Sequence, residues 1–330
     1  MLFSLILALS IGLLVLNSCK KEESPGAGKL EKLVVSFPST ADLADVPGLL
    51  AFENMRAMGY EVVPKFMAKS ELAVEAVVRG DAHIGNTGGV TLYNAIAEGA
   101  KIKVFMQQSG NPWALVGRGN VKTLQDLDGK KLAQHSPAAE SKALTDMILA
   151  TKAPNVKPQV LIIAGSDNRA QALLQGDIDA SPLELSDLIG LNIKQPGNFN
   201  VLVSFTQELP LLQTSPFYAG TSFLAEKKGA VKSFIRAILD THLKIAEDAT
   251  FLKEQAPKYL PGYDQEQLPQ MIDVYRQYGL WPVNGGIEPE AQKFTIDFYI
   301  EGKKLPENLK TEQIYDRSLL DEVLKEIGKK

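Results

Sequence analysis

Cysteine is nearly absent from this sequence: Cys19 is the only one among 330 residues. No disulfide can form within the chain, so the fold has to rest on its apolar core. Histidine is scarce as well, with three copies. Together with one thiol, this leaves no zinc cluster of the usual spacing, and nothing calls for a cofactor. An excess of positive charge is also missing. Lys and Arg number 35 against 39 Asp and Glu, for a formal net charge of -4. Gripping a phosphate backbone requires a basic patch, so nucleic acid is excluded as a partner. The sequence has no G-x-S-x-G elbow, P-loop or H-E-x-x-H motif, so no catalytic residue is assigned and no turnover is expected. Beyond the N-terminus, no run is apolar enough to span a bilayer.

What is present begins with Leu2 to Leu16, which is almost wholly apolar. The run has the length of a secretory h-region and is short for a membrane span, which needs about 20 apolar residues. Leu16-Asn17-Ser18 leads directly into Cys19. With a small residue just before the thiol, this stretch is similar to the lipobox of bacterial lipoproteins. That resemblance implies a signal peptide over residues 1–18 and lipidation of Cys19 (palmitate being one such acyl group). Acyl chains on Cys19 would tether the protein to a membrane. Residues 19–31 then form the lipidated cysteine and a flexible tether, because Lys-Lys-Glu-Glu and Ser-Pro-Gly-Ala-Gly cannot bury a core. Met1-Leu2-Phe3-Ser4 carries no Lys or Arg, unlike an ordinary n-region, and a start upstream of Met1 is compatible with this. The plain alternative is an N-terminal membrane anchor with an incidental cysteine.

The chain is 45% hydrophobic and 22% charged, a soluble globular composition, and long enough for two lobes. Leu30 to Phe37 reads as a buried strand ending in the polar loop Pro38-Ser39-Thr40. Asp45 is placed to N-cap a helix from Val46 to Met58, closed by Gly59. Tyr60 to Phe66 is a second strand, so an α/β lobe opens here. A helix over Ser70 to Arg79 then leads into Gly80-Asp81-Ala82-His83-Ile84-Gly85 and Asn86-Thr87-Gly88-Gly89. The same order recurs with a helix over Asn168 to Gln175, then Gly176-Asp177-Ile178-Asp179-Ala180 and Ser181-Pro182-Leu183-Glu184. Each time a helix closes at a left-handed glycine, and a short strand exits into a polar or glycine-rich loop. The repetition predicts two lobes of similar build. Between these elements, Leu124 to Ala133 reads as a short helix, a turn and a strand. Ser136 is expected to N-cap a helix that starts at Pro137 and runs to about Lys152. Strands follow at Val160 to Ala164 and Val201 to Val203, with Gly165-Ser166-Asp167 capping the helix between them. Phe217 to Phe223 returns the chain to the first lobe. The remainder is helical: Val231 to Asp248, Gln265 to Tyr278, Ala291 to Glu301 and Ser318 to Ile327.

Leu124-Gln125-Asp126-Leu127-Asp128-Gly129-Lys130-Lys131-Leu132-Ala133 resembles the DLKGK-V element of substrate-binding proteins of ATP-driven (ABC) importers. Both Gly-Asp elements match that family's pattern. So does Ala95-Ile96-Ala97-Glu98-Gly99-Ala100-Lys101-Ile102-Lys103-Val104, and Tyr315 to Glu322 resembles its C-terminal helix. The similarity is to the sulfonate/nitrate/taurine and thiamine-precursor-binding (NMT1/SsuA-like) subgroup. It implies a type II two-lobe periplasmic-binding-protein fold, α/β throughout, each lobe a mixed sheet flanked by helices. Residues 32–117 and 215–330 would form lobe I and residues 118–214 lobe II. The crossovers would fall near Val116-Gly117-Arg118 and Ser215-Pro216-Phe217. Ligand would bind in the cleft and close it by hinge motion.

In open α/β sheets ligands sit beyond the carboxyl ends of the strands, near helix N-termini. That rule selects the strand-exit loops, and from them the candidate ligand-binding residues Ser39, Asp42, Thr87, Gly88, Gln108, Trp113, His135, Ser136, Ser166, Glu184 and Tyr218. Each also has a plainer role. Ser39, Ser136 and Ser166 suit helix caps, Thr87-Gly88 a turn, His135 a loop hydrogen bond, Trp113 and Tyr218 the core, and Glu184 a surface charge. In these loops only Arg169 offers a cation, against the carboxylates of Asp42, Glu140 and Glu184. Helix N-termini alone can hold an anion, yet Arg is the usual partner of a sulfonate or carboxylate. The balance points to a neutral or cationic organic ligand, such as a nitrogen heterocycle resembling a thiamine precursor.

The expected function is therefore that of a monomeric, lipid-anchored solute-binding protein on the outer side of a bacterial membrane, at the periplasmic face or the cell surface. It would deliver a small molecule to the permease subunits of an ABC transporter. One alternative is an enzyme like the pyrimidine-precursor synthase that shares the fold, although its cysteine-rich CCCFC motif is missing here. The other is a sensory lipoprotein that uses the fold to dock a partner.

Overall fold

The computed structural model describes residues 30–330; Cys19, the signal segment and nearly all of the tether lie outside the described residues. In chain order, β1 (Glu31–Phe37), α1 (Val46–Asn54), β2 (Tyr60–Phe66), α2 (Ser70–Val78), β3 (Ile84–Asn86), α3 (Gly89–Ala97) and β4 (Ile102–Ser109) build the first lobe. The second contains β5 (Trp113–Arg118), β6 (Lys131–Gln134), α4 (Glu140–Lys152), β7 (Gln159–Ile162) and α5 (Ser166–Gln175). It continues with β8 (Ala180–Glu184), α6 (Leu185–Lys194), β9 (Phe199–Ser204) and α7 (Phe205–Glu208). The chain returns through β10 (Ser215–Gly220) and ends in α8 (Thr221–Glu226), α9 (Lys228–Glu247), α10 (Ala249–Tyr259), α11 (Leu268–Gln277), α12 (Pro289–Glu301), α13 (Thr311–Ile314) and α14 (Ser318–Ile327).

Two five-stranded mixed sheets result, ordered β2-β1-β3-β10-β4 and β7-β6-β8-β5-β9. In each, three strands run parallel and the fourth in line is antiparallel to its neighbours: β10 in the first sheet, β5 in the second. The two Gly-Asp elements occupy matching places. Gly80 and Gly176 hold φ of 82° and 84°, a region that a side chain would strain. Both feed a strand at the centre of its sheet, β3 and β8, whose carboxyl end carries a polar loop toward the other lobe.

Several local expectations need correction. The first crossover does not fall at Val116-Gly117-Arg118, because β5 already pairs with β8 and β9 there. The chain passes between the sheets at Gly110-Asn111-Pro112, between the end of β4 and the start of β5. At the other end Ser215 already belongs to β10 in the first sheet, so the return precedes it. The C-terminal helices are not confined to the first lobe. Met271, Tyr275 and Trp281 share one apolar cluster with Leu183, Leu185 and Leu188 of the second lobe and with Leu43 and Val46 of the first. Asp45 makes no cap bond to α1, since Gln108 Nε2 and the Asp42 N–H donate to its carboxylate instead. Ser136 caps no helix either: α4 begins at Glu140, and Ser136 Oγ donates to Glu71 of the other lobe at 3.2 Å.

Candidate functional site

The carboxyl ends of β1, β3, β6 and β8 open onto one cavity between the lobes, of about 110 Å³. Of the residues expected to bind ligand, Ser39, Asp42, Thr87, Gly88, Trp113, His135, Ser166 and Glu184 line it. Gln108, Ser136 and Tyr218 do not. Gln108 is fully buried behind Asp45, with Nε2 also 3.5 Å from the Ala44 carbonyl. Ser136 is spent on the contact with Glu71. Tyr218 lies in the core over Gly85, because helices cover both faces of the first sheet and β10 has no solvent side.

The cavity also takes residues that the loop rule missed. Asp45 and Asp187 add two carboxylates, and Tyr263 adds a second aromatic ring beside Trp113. Asp187 sits in the first turn of α6, just past the end of β8 at Glu184. Asp45 lies one turn beyond Asp42, a carboxylate spacing visible in the sequence but read as a cap. Tyr263 follows α10, in a segment with no local signal of proximity to the cleft.

Asp42, Asp45, Glu184 and Asp187 line the cavity from both lobes, and with Glu140 and Asp167 the lining holds six carboxyl groups. Asp42 and Glu184 face each other across the cleft, and beyond burial the nearby Glu184 carboxyl further raises Asp42. Burial is nevertheless the main influence on each. It pushes Glu184 up to about 8 and Asp187 up to about 6, and it raises Asp42 and Asp45 well above the ordinary carboxylate range. Ser166 orders the second-lobe side by accepting from the Glu184 N–H at 3.0 Å and by hydrogen-bonding Asp187.

No side-chain cation answers this charge. Among the described residues, no Lys or Arg lines the cavity. Arg169 is fully buried beneath it, and each of its three guanidinium nitrogens donates to the protein. They reach Ser181 Oγ at 3.1 Å, the Pro182 carbonyl at 3.2 and 3.1 Å, the Ile163 carbonyl at 3.3 Å and the Gly165 carbonyl at 2.8 Å. Its guanidinium lies 5.9 Å from the centre of the Trp113 ring, fixing that aromatic wall by a cation–π contact.

Neutral polar groups complete the lining. His135 Nδ1 accepts from the Gly165 N–H at 3.0 Å, so a neutral ring carries its proton on Nε2, which lacks a partner. Burial, then the Arg169 charge, pulls this histidine down to about 4 and keeps it neutral. Thr87 Oγ1 is also buried without a partner. At the first-lobe wall Glu140 Oε2 accepts from the Val90 N–H at 2.9 Å and also bonds the Gly89 N–H. Burial pushes Glu140 up to about 8, and those two donors pull the other way.

Two α/β lobes, two crossings and a polar cavity at the strand ends define a two-lobed periplasmic-binding-protein fold. The chain belongs to the NMT1/THI5-like family, whose pattern matches residues 56–248. Solved structures agree on the fold. The ligand-binding component of an ABC-type import system from Staphylococcus aureus is 12% identical, with a TM-score of 0.68 over 89% of this chain and 99% of that one. The periplasmic nitrate-binding protein from Synechocystis is also 12% identical, with a TM-score of 0.71 over 91% and 90%. The periplasmic aliphatic sulphonate binding protein from Escherichia coli is 17% identical, with a TM-score of 0.63 over 88% and 99%. No curated protein matches the chain. Among the described residues, no helix is long and apolar enough to cross a membrane.

Proposed function

We propose that this protein is an extracytoplasmic solute-binding protein, tethered through a lipid on Cys19, that captures a small organic cation and delivers it to an ABC transporter permease. The ligand would carry a protonated or quaternary nitrogen, on a flat ring of the size of a thiamine precursor or on a comparable skeleton. The observation that carries this reading is the meeting of Asp42, Asp45, Glu184 and Asp187 in a cavity whose lining has no side-chain cation. Crowded, poorly hydrated carboxyls are a costly arrangement when empty, and a bound cation relieves it. Trp113 and Tyr263 provide the aromatic faces that favour cations and flat rings. His135 Nε2 and Thr87 Oγ1 remain available for a heterocycle's own polar atoms.

Capture and release, rather than conversion, fits this site. Its groups bind and orient, and the buried neutral His135 hydrogen-bonds no hydroxyl or thiol through Nε2. A thermal-shift screen against pyrimidines, thiamine precursors, quaternary amines, polyamines, sulfonates and nitrate tests the reading. A cation present at about 100 times its dissociation constant should add about 2.7 kcal/mol to stability. Stabilisation by sulfonates or nitrate alone would contradict it.

A further inference from the structure

The first-lobe wall of the cavity is the N-terminus of α3, a helix with no acidic residue in its first turn and no side-chain cap of its own. Such an end presents free N–H groups and a partial positive charge, and it draws an anion. Here the chain supplies one from the opposite lobe. Glu140, the first residue of α4, is 4% exposed and places Oε2 2.9 Å from the Val90 N–H. Gly88 makes the approach possible, since a Cβ there would lie 2.4 Å from the Glu140 Cβ. Two further contacts between the lobes bracket the pair: Thr91 Oγ1 donates to the Ala138 carbonyl at 2.6 Å, and Ser136 Oγ donates to Glu71 at 3.2 Å. Immediately before this helix end, Thr87 Oγ1 lines the cavity, buried and without a partner, as does Glu140 Oε1.

We infer that Glu140 is a specificity-determining residue: its carboxyl is a built-in occupant of the anion position at the α3 N-terminus, and it excludes ligands that carry their own anionic group there. In either protonation state its oxygen fills the place that a sulfonate, carboxylate or phosphate oxygen would take. The inference deepens the proposed function and rests on the cleft being the ligand site. It explains how a cleft that includes a helix N-terminus can still favour cations. The anion position at the α3 N-terminus is already taken, and the rest of the lining carries Asp42, Asp45, Glu184 and Asp187.

The test is Glu140→Ala in the full chain, probed with acetate and inorganic sulfate by thermal shift and calorimetry against chloride at matched ionic strength. Acetate replaces the deleted carboxylate and sulfate stands for a ligand's anionic group. Wild type should show no saturable response to either. Glu140→Ala should bind both, at least about tenfold more tightly than wild type does. Glu140→Gln, which keeps an oxygen at the same place, should not gain this affinity. Should Glu140→Ala fail to fold in chloride, acetate or sulfate is expected to restore its near-ultraviolet circular dichroism. A folded Glu140→Ala that responds to neither anion overturns the inference, and so does an unfolded one that neither anion rescues. Because these probes contain no organic cation, the result is read separately from the proposed function. If wild type binds cations while Glu140→Ala ignores anions, only the role of Glu140 falls.

Discussion

Asp42 of the first lobe and Glu184 of the second line the same cleft from opposite sides, and burial raises both carboxyls above their ordinary range. Each sits where a parallel strand of its own sheet gives out, beyond β1 and at the end of β8. A pair of like charges from opposite lobes works against closure when both are ionised. A cation placed between them turns that repulsion into an attraction felt by both lobes at once.

Asp42→Asn and Glu184→Gln should therefore each weaken cation binding at least about tenfold, or about 1.4 kcal/mol. Both should leave the empty protein about as stable as wild type, because each replaces a buried carboxyl that burial already disfavours ionising with a neutral amide of the same shape. Thr87→Val should also weaken binding while preserving the fold, since the hydroxyl it deletes has no partner in the protein. Calorimetry and melting curves on the three variants check this; wild-type affinity in all of them would move the site elsewhere.

The empty protein should lose stability as pH rises from about 7 to about 9. Glu184 and Glu140 are raised to about 8 from an ordinary value of about 4.3. A raised acid contributes stability that is complete below the ordinary value and is lost as pH climbs through the folded one. His135 and His242, both pulled down to about 4 by burial, act oppositely, but only below about 6.5, where the unfolded chain takes up protons first. Melting temperatures at the two pH values decide the matter. A rise toward pH 9 in wild type, or an undiminished fall in the Glu184→Gln, Glu140→Gln double variant, would refute this assignment.

Arg169 should prove to be a support and not a ligand contact. Its donors satisfy carbonyls in the β7–α5 loop and in β8, so Arg169→Ala leaves several buried acceptors bare. A loss of about 3 kcal/mol or more in denaturant unfolding is expected. Unchanged unfolding together with lost binding would instead place the guanidinium in the ligand site.

How far the site could be read from sequence depended on how local its causes are. Gly80 and Gly176 announce themselves, because a left-handed helix end followed by a short strand is decided within a few residues. The strand-exit rule then delivers Asp42, Thr87 and Glu184. Asp45 and Ser136 were misread as caps, because their actual partners, Gln108 and Glu71, lie far away in sequence, and for Ser136 in the other lobe. Tyr263 reaches the cleft only because the C-terminal helices pack on both lobes. The inward turn of Arg169 depends on carbonyls from two separate elements. Nothing in its own neighbourhood distinguishes it from a ligand-binding arginine.

Cys19→Ser should release the protein from membranes, since acyl chains would be its main apolar anchor. Fractionation after salt and carbonate washes reads this directly, and a variant that stays with the membrane would refute the lipid tether.

The central claim, that the cleft selects a cation, is tested most directly by calorimetric titration of the purified protein with paired ligands on one carbon skeleton, one ending in an amine and the other in a sulfonate. The account predicts saturable binding of the amine and none of the sulfonate. It also predicts proton release on binding, seen as a dependence of the measured heat on the buffer's ionisation enthalpy, because the cation drives Asp42 and Glu184 to ionise. Saturable binding of the sulfonate with no response to the amine would contradict it.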